Sequence, residues 1–177
     1  MNTRVLYVSS TGNTAKIAQE LFRALPASNK DIDRLEHAMG KYDSDCYFLG
    51  FWVNRGSANV EVLDFMSGLH RKKVAFFGTC GTGDPAYFTQ IEHQMLAFLP
   101  EDNEFFGSFF CQGKMPMQVR QKYEQMLKGD YRQTAEKFIQ NFDRALFHPS
   151  SEDTLRAAEF AKNTYKKMTA HYIEQFT

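Results

Sequence analysis

The regular alternation of short apolar runs with helix-period segments constrains this chain more than any other feature. Residues 3–8 (TRVLYV), 45–52 (DCYFLGFW), 73–78 and 104–111 (EFFGSFFC) are apolar and bounded by turn residues. Runs of that length and character read as strands buried on both faces of a parallel sheet. A weaker run at 31–35 (DIDRL) alternates polar with apolar residues and reads as an edge strand. Between the runs, residues 14–25 place Ile17, Ala18, Leu21, Phe22 and Leu25 on one helical face, with Pro26 as the stop. Residues 60–69 and 87–99 repeat the pattern, the second ended by Pro100. After Cys111 the grammar changes: 117–128, 133–147 and 152–176 are helical in period and rich in charge, the last preceded by Ser150 and Ser151 as N-cap candidates.

Five strands with interleaved helices predict an α/β chain, a doubly wound three-layer sandwich with a parallel five-stranded sheet in the order 2-1-3-4-5. At 177 residues the length suits one domain, spanning 1–177, with a helical insertion at about 115–147 before the final helix. A hydrophobic share of 43% with 17 Phe excludes a disordered chain. The 21 basic and 21 acidic residues cancel, so no global field recruits nucleic acid or an anionic membrane, and any docking site is local. Cys46, Cys80 and Cys111 are odd in number and widely spaced, which suits a reducing compartment and neither a disulfide framework nor a zinc site. The N-terminus starts directly into a strand, and no run reaches the length of a membrane span, so a cytoplasmic protein is expected.

In a sheet of that order, ligands sit at the carboxyl ends of the first and third strands. The rule selects three loops: Ser9 to Thr14, Trp52 to Gly56 and Thr79 to Asp84. In the first (SSTGNT), the hydroxyls of Ser9, Ser10, Thr11 and Thr14 can donate to phosphate oxygens, and Gly12 lets the backbone turn tightly. Free N–H groups at the start of the following helix add donors, so the phosphate needs no Lys. Neither GxxxxGK[ST] nor GxGxxG is present, which favours a monophosphate over a triphosphate or a dinucleotide.

The stretch VLYVSSTGNTAKIAQEL resembles the N-terminal signature of flavodoxins: aliphatic Val5 and Leu6, aromatic Tyr7, hydroxyl Ser9, small Gly12, then Thr14, Ala18 and Leu21. The resemblance implies non-covalent flavin mononucleotide (FMN), its phosphate held by Ser9, Ser10, Thr11, Gly12, Asn13 and Thr14. It extends through GFWVNRG, VAFFGTCGTGDP, GSFFCQGKMP and HPSSEDTLRAAEFAK, which together resemble a branch of flavodoxin-like proteins from anaerobic bacteria that includes the flavodoxin partner of bilirubin reductase.

An isoalloxazine ring needs apolar or aromatic walls. Trp52, the single Trp, ends the third strand and is the expected ring-stacking residue, flanked by Val53, Asn54, Arg55 and Gly56. Arg55 could pair with the reduced, anionic flavin or with a carboxylate, and Gly56 permits a backbone rearrangement. The resemblance implies that backbone N–H groups of Thr79, Cys80, Gly81, Thr82, Gly83 and Asp84 address the pyrimidine edge. Many flavodoxins carry an aromatic wall where this sequence has Thr82, so either Tyr87 or Phe88 is a replacement or the exposed face is free to receive a substrate or partner. Asp84 is expected chiefly to cap the helix that Pro85 starts, and Cys80 has no expected catalytic role. Gln112, Gly113, Lys114 and Met115 open the helical insertion on the same edge of the sheet; they line a cleft or simply cover apolar surface.

The residues contain no Ser-His-Asp arrangement, paired carboxylates or metal cluster, which favours an electron carrier passing electrons between a reductase donor and an acceptor enzyme. The alternatives are an FMN-dependent oxidoreductase reducing a quinone or tetrapyrrole directly, and a flavin-free interaction module. A phosphoacceptor domain of the same topology needs Asp at the end of its third strand, where this chain has Phe51 and Trp52.

Overall fold

The computed structural model describes residues 1–174, and side chains to residue 170. Strands β1 (Thr3–Tyr7), β2 (Lys30–Arg34), β3 (Cys46–Trp52), β4 (Lys73–Cys80) and β5 (Glu104–Gln112) form one sheet in the order β2-β1-β3-β4-β5. Every pairing is parallel. Helices α1 (Asn13–Ala24), α2 (Val60–Ser67), α3 (Pro85–Leu96), α4 (Met117–Met126), α5 (Arg132–Ala145) and α6 (Ser151–Glu174), with a 3-10 turn at Leu35–His37, are the other elements of the described residues. The doubly wound order is thus as the periodicity predicts, and the end expected for the last helix, Phe176, lies outside the described residues.

The Phe-rich strands divide their side chains between two cores because successive residues of a strand point to opposite faces. Tyr47, Leu49, Phe51, Val74, Phe76 and Phe110 meet α2 and α3 on one face. Cys46, Phe48, Ala75, Phe77, Phe109 and Cys111 meet α1 and α6 on the other. Burying each large apolar side chain stabilises the fold by about 1.5–3 kcal/mol, so β3 and β4, covered on both faces, anchor the molecule. One register shift interrupts β4 against β5, between Val74 and Phe76. Gly107 lies opposite it at φ 107°, a backbone conformation that side chains resist.

Strand β4 is two residues longer than its apolar run suggests. Thr79 pairs with both Trp52 and Cys111, and Cys80 with Gln112, so neighbouring strands hold the backbone extended where the sequence reads as loop.

The start of α6 is a reciprocal cap. The Ser150 hydroxyl accepts from Asp153 N (3.2 Å), while the Asp153 carboxylate accepts from Ser150 N (2.7 Å), the Ser150 hydroxyl (3.0 Å) and His148 Nδ1 (2.6 Å). Burial alone pushes the Asp153 carboxyl upward, but the Ser150 N–H, the His148 ring and the Ser150 hydroxyl outweigh it and hold the group below its ordinary value of 3.8. The contribution to stability is therefore complete above that ordinary value and is lost as pH falls through the lower folded-state value. Asp153→Asn is expected to cost about 1–3 kcal/mol at neutral pH. Urea unfolding at pH 7 and at pH 3 checks this: the gap to wild type narrows at pH 3, and an equal gap at both contradicts the assignment.

Candidate functional site

Four loops meet at the carboxyl ends of β1, β3, β4 and β5, around a cavity of about 400 Å³. The first, between β1 and α1, is drawn tight by its own hydroxyls. Gly12 caps α1 at φ 88°, and the Ser9 hydroxyl accepts from Ala15 N at 3.2 Å. Thr14 turns inward, its buried hydroxyl 2.9 Å from that of Thr79, which locks the start of α1 to the end of β4. Ser9, Gly12 and Thr14 thus shape the loop, while Ser10, Thr11 and Asn13 line the cavity. Asn13 Nδ2 donates to Thr11 Oγ1 (3.0 Å) and to the Lys114 carbonyl (2.9 Å), joining the loop to the chain beyond β5.

Trp52, at the end of β3, lines the cavity with Val53, Asn54 and Arg55. The chain then reverses in a two-residue turn: Asn54 N donates to Ser57 O (2.8 Å) and Ser57 N returns to Asn54 O (3.1 Å). Arg55 and Gly56 both have positive φ, 51° and 90°, the mark of a type I′ turn. Gly accepts that conformation freely; Arg does so at a cost of about 1–2 kcal/mol, a strain that concentrates at functional loops. Gly56 itself lies off the cavity, beside the Tyr87 hydroxyl.

The β4 segment splits. Thr79, Cys80 and Gly81 line the cavity, but the backbones of Thr79 and Cys80 belong to the sheet ladder. Thr82, Gly83 and Asp84 instead line a neighbouring hollow of about 660 Å³ with Gln112, Asn141, Arg144, Phe147 and His148. That hollow is larger, but its one aromatic, Phe147, is 78% exposed, and it has neither the hydroxyl loop nor Trp52; the smaller cavity is the candidate site. Asp84 caps α3 by accepting from Ala86 N at 2.9 Å. Burial raises the Cys80 thiol to about 11, and it donates to Thr82 O, so the sulfur is protonated at neutral pH and no nucleophile.

The expected replacement wall does not form from Tyr87 or Phe88. Both pack against the core under α2 and α3, with the Phe88 ring 5.9 Å from that of Phe110. The second aromatic on the cavity is Tyr123 of α4, which arrives with Pro116 and Val119. Gly113, Lys114 and Met115 complete that side, and Met115 lies against Gly81, where an added Cβ would stand 2.6 Å from its sulfur. A Tyr in a charge-rich helix carries no sequence signal of such a role; only the path of the chain beyond β5 reveals it.

Among the described residues, no Asp, Glu or His lines this cavity, and its two cations are Arg55 and Lys114. The lining suits an anionic, partly flat ligand and offers no general acid or base pair. No group of three or more metal-ligating side chains occurs among the described residues, and no described helix is long and apolar enough to cross a membrane.

A family model described as a flavodoxin domain matches residues 4–162. The chain is 33% identical over 168 residues to the flavodoxin-like domain-containing protein BilS of Clostridioides difficile (strain CD3), covering 92% of this chain and 96% of that protein. It is 29% identical over 171 residues to BilS of Clostridium symbiosum (strain WAL-14163), covering 86% and 90%. Among solved structures, the Streptococcus pneumoniae TIGR4 flavodoxin superposes with a TM-score of 0.58 at 15% identity, covering 94% of this chain and 99% of that one. A short-chain flavodoxin associated with a bacterial microcompartment gives 0.58 at 17% identity, covering 95% and 99%.

Proposed function

This chain belongs to the flavodoxin family, and from that premise we propose that it binds FMN and carries electrons to a partner redox enzyme. The observation that supports this best is the cavity itself, with Ser10, Thr11 and Asn13 at one part of its lining and Trp52 and Tyr123 at another. These residues fit the group: hydroxyls and a helix N-terminus for a phosphate, and aromatic faces for a flat ring. FMN, when bound, supplies the one- and two-electron chemistry.

The residues of the chain bind, orient and tune. Ser10, Thr11 and those N–H groups at the start of α1 that Ser9 does not take up would hold the phosphate. Trp52 would offer an aromatic face to the ring, and the Gly81 backbone would border it. Arg55 and Lys114 place positive charge on the cavity, which favours the reduced, anionic form of the flavin and raises its reduction potential. Because no carboxylate or imidazole among the described residues lines the cavity, proton transfer is left to water, and electron delivery to a partner is the simplest task. The resemblance to the flavodoxin partner of bilirubin reductase supports the narrower reading, in which the acceptor enzyme reduces a tetrapyrrole in an anaerobic cytoplasm.

The test is the visible spectrum of purified protein before and after FMN is added, followed by dithionite titration and an assay with bilirubin, with and without candidate partner enzymes. Bound flavin that is reduced by dithionite but turns nothing over alone supports the carrier. Direct turnover of bilirubin or a quinone instead makes the protein an FMN-dependent reductase, and failure to bind FMN at micromolar concentration removes the flavin reading.

A further inference from the structure

We infer that the helical segment beyond β5 is part of the ring-binding site, with Tyr123 of α4 as a wall for the isoalloxazine and α4 completing its packing only against the ligand. The inference rests on the flavin reading above.

Val119 and Tyr123, four residues apart, lie on one stripe of α4, and Pro116 precedes that stripe as the N-cap of the helix. All three line the cavity. No residue of α4 is fully buried, so the helix lacks the packed apolar face that stabilises most helices of its length. What holds it is α5: the Tyr123 and Phe138 rings lie 5.0 Å apart, and Arg120 pairs with Asp143 at 3.2 Å. Val119 and Tyr123 therefore present half-buried apolar surface to an opening, and a flat apolar ring there removes both from water.

The next helix is fastened to the same site. The Gly81 carbonyl accepts from Asn141 Nδ2 of α5 at 2.7 Å and from Gln112 Nε2 at 2.9 Å. Two amide donors on one carbonyl fix the peptide that leads out of β4, at the residue that borders the cavity. The segment thus supplies one aromatic wall directly and positions the loop after β4 through Asn141.

Hydrogen exchange on the full chain, with and without saturating FMN, tests this without a substitution. The expected result is slower exchange both in residues 9–14 and in Met117–Met126, by about tenfold in the helix. Protection of residues 9–14 with none in α4 overturns this inference and leaves FMN binding intact; protection of neither overturns both. In a second arm, Tyr123→Ala raises the Kd for riboflavin and for FMN by about tenfold, whereas Tyr123→Phe stays within about twofold. Equal affinities for wild type and Tyr123→Ala, with far-UV circular dichroism unchanged, would refute the wall.

Discussion

Thr11→Asp is expected to remove most of the affinity for FMN and to spare riboflavin. Thr11 is exposed on the β1–α1 loop, lines the cavity, and accepts from Asn13 Nδ2 at 3.0 Å. An aspartate keeps that acceptor, so the loop retains its internal bond. What changes is charge: a carboxylate about 5 Å from a doubly charged phosphate costs about 2–6 kcal/mol for an effective dielectric between those of water and protein. The lower end alone weakens FMN binding roughly thirtyfold, while riboflavin, lacking the phosphate, should bind within about threefold of wild type. Raising the salt concentration should return part of the lost FMN affinity, because exposed charges are screened. Parallel titrations of both flavins decide the matter; equal weakening of the two, or of neither, puts the phosphate somewhere other than this loop.

Gly50→Ala is expected to be the most destabilising small substitution in the sheet, at about 3 kcal/mol. Gly50 lies in β3, in register with Phe77 of β4. A Cβ there would stand 2.1 Å from Phe77 Cζ and 2.3 Å from Cε2, so the ring lies over the glycine. Phe77 is fully buried in the core beneath α1 and α6, which leaves it no solvent-side rotamer. The strand accepts glycine's weaker propensity in return for the volume of a ring. Combining Gly50→Ala with Phe77→Leu should cost less than the sum of the two single changes by about 1 kcal/mol or more. Urea unfolding of the four proteins in this cycle measures the coupling, and strict additivity would show that the ring escapes without strain.

The strands and helices are legible in the sequence because buried β3 and β4 demand continuous apolar runs and the flanking helices demand a 3.6-residue stripe. The hydroxyl-rich loop between β1 and α1 is legible for a related reason: a tight strand-to-helix turn full of hydroxyls is local chemistry, complete within Ser9 to Thr14. Tertiary structure settled the division of labour inside that loop, since the Thr14 hydroxyl turns to Thr79, which is 65 residues away. It likewise settled the second aromatic. Tyr87 and Phe88 lie close in sequence to the β4 loop, yet α3 turns them against the core, partly buried, and Tyr123 arrives from a helix whose periodicity says only that it is helical.

Local patterns carried the strand order class, the expectation of a site at the carboxyl ends of the strands, and the hydroxyl character of the loop after β1. Those properties depend on short-range periodicity and on residues adjacent along the chain. Long-range packing set which side chains share the cavity with Trp52, turned Thr82 to Asp84 to a different hollow, and brought Asn141 to the Gly81 carbonyl. Each of those is a contact between segments far apart in sequence, set by the path of the chain beyond β5 and by the volume left between packed elements, and neither quantity is written in any local pattern of residues.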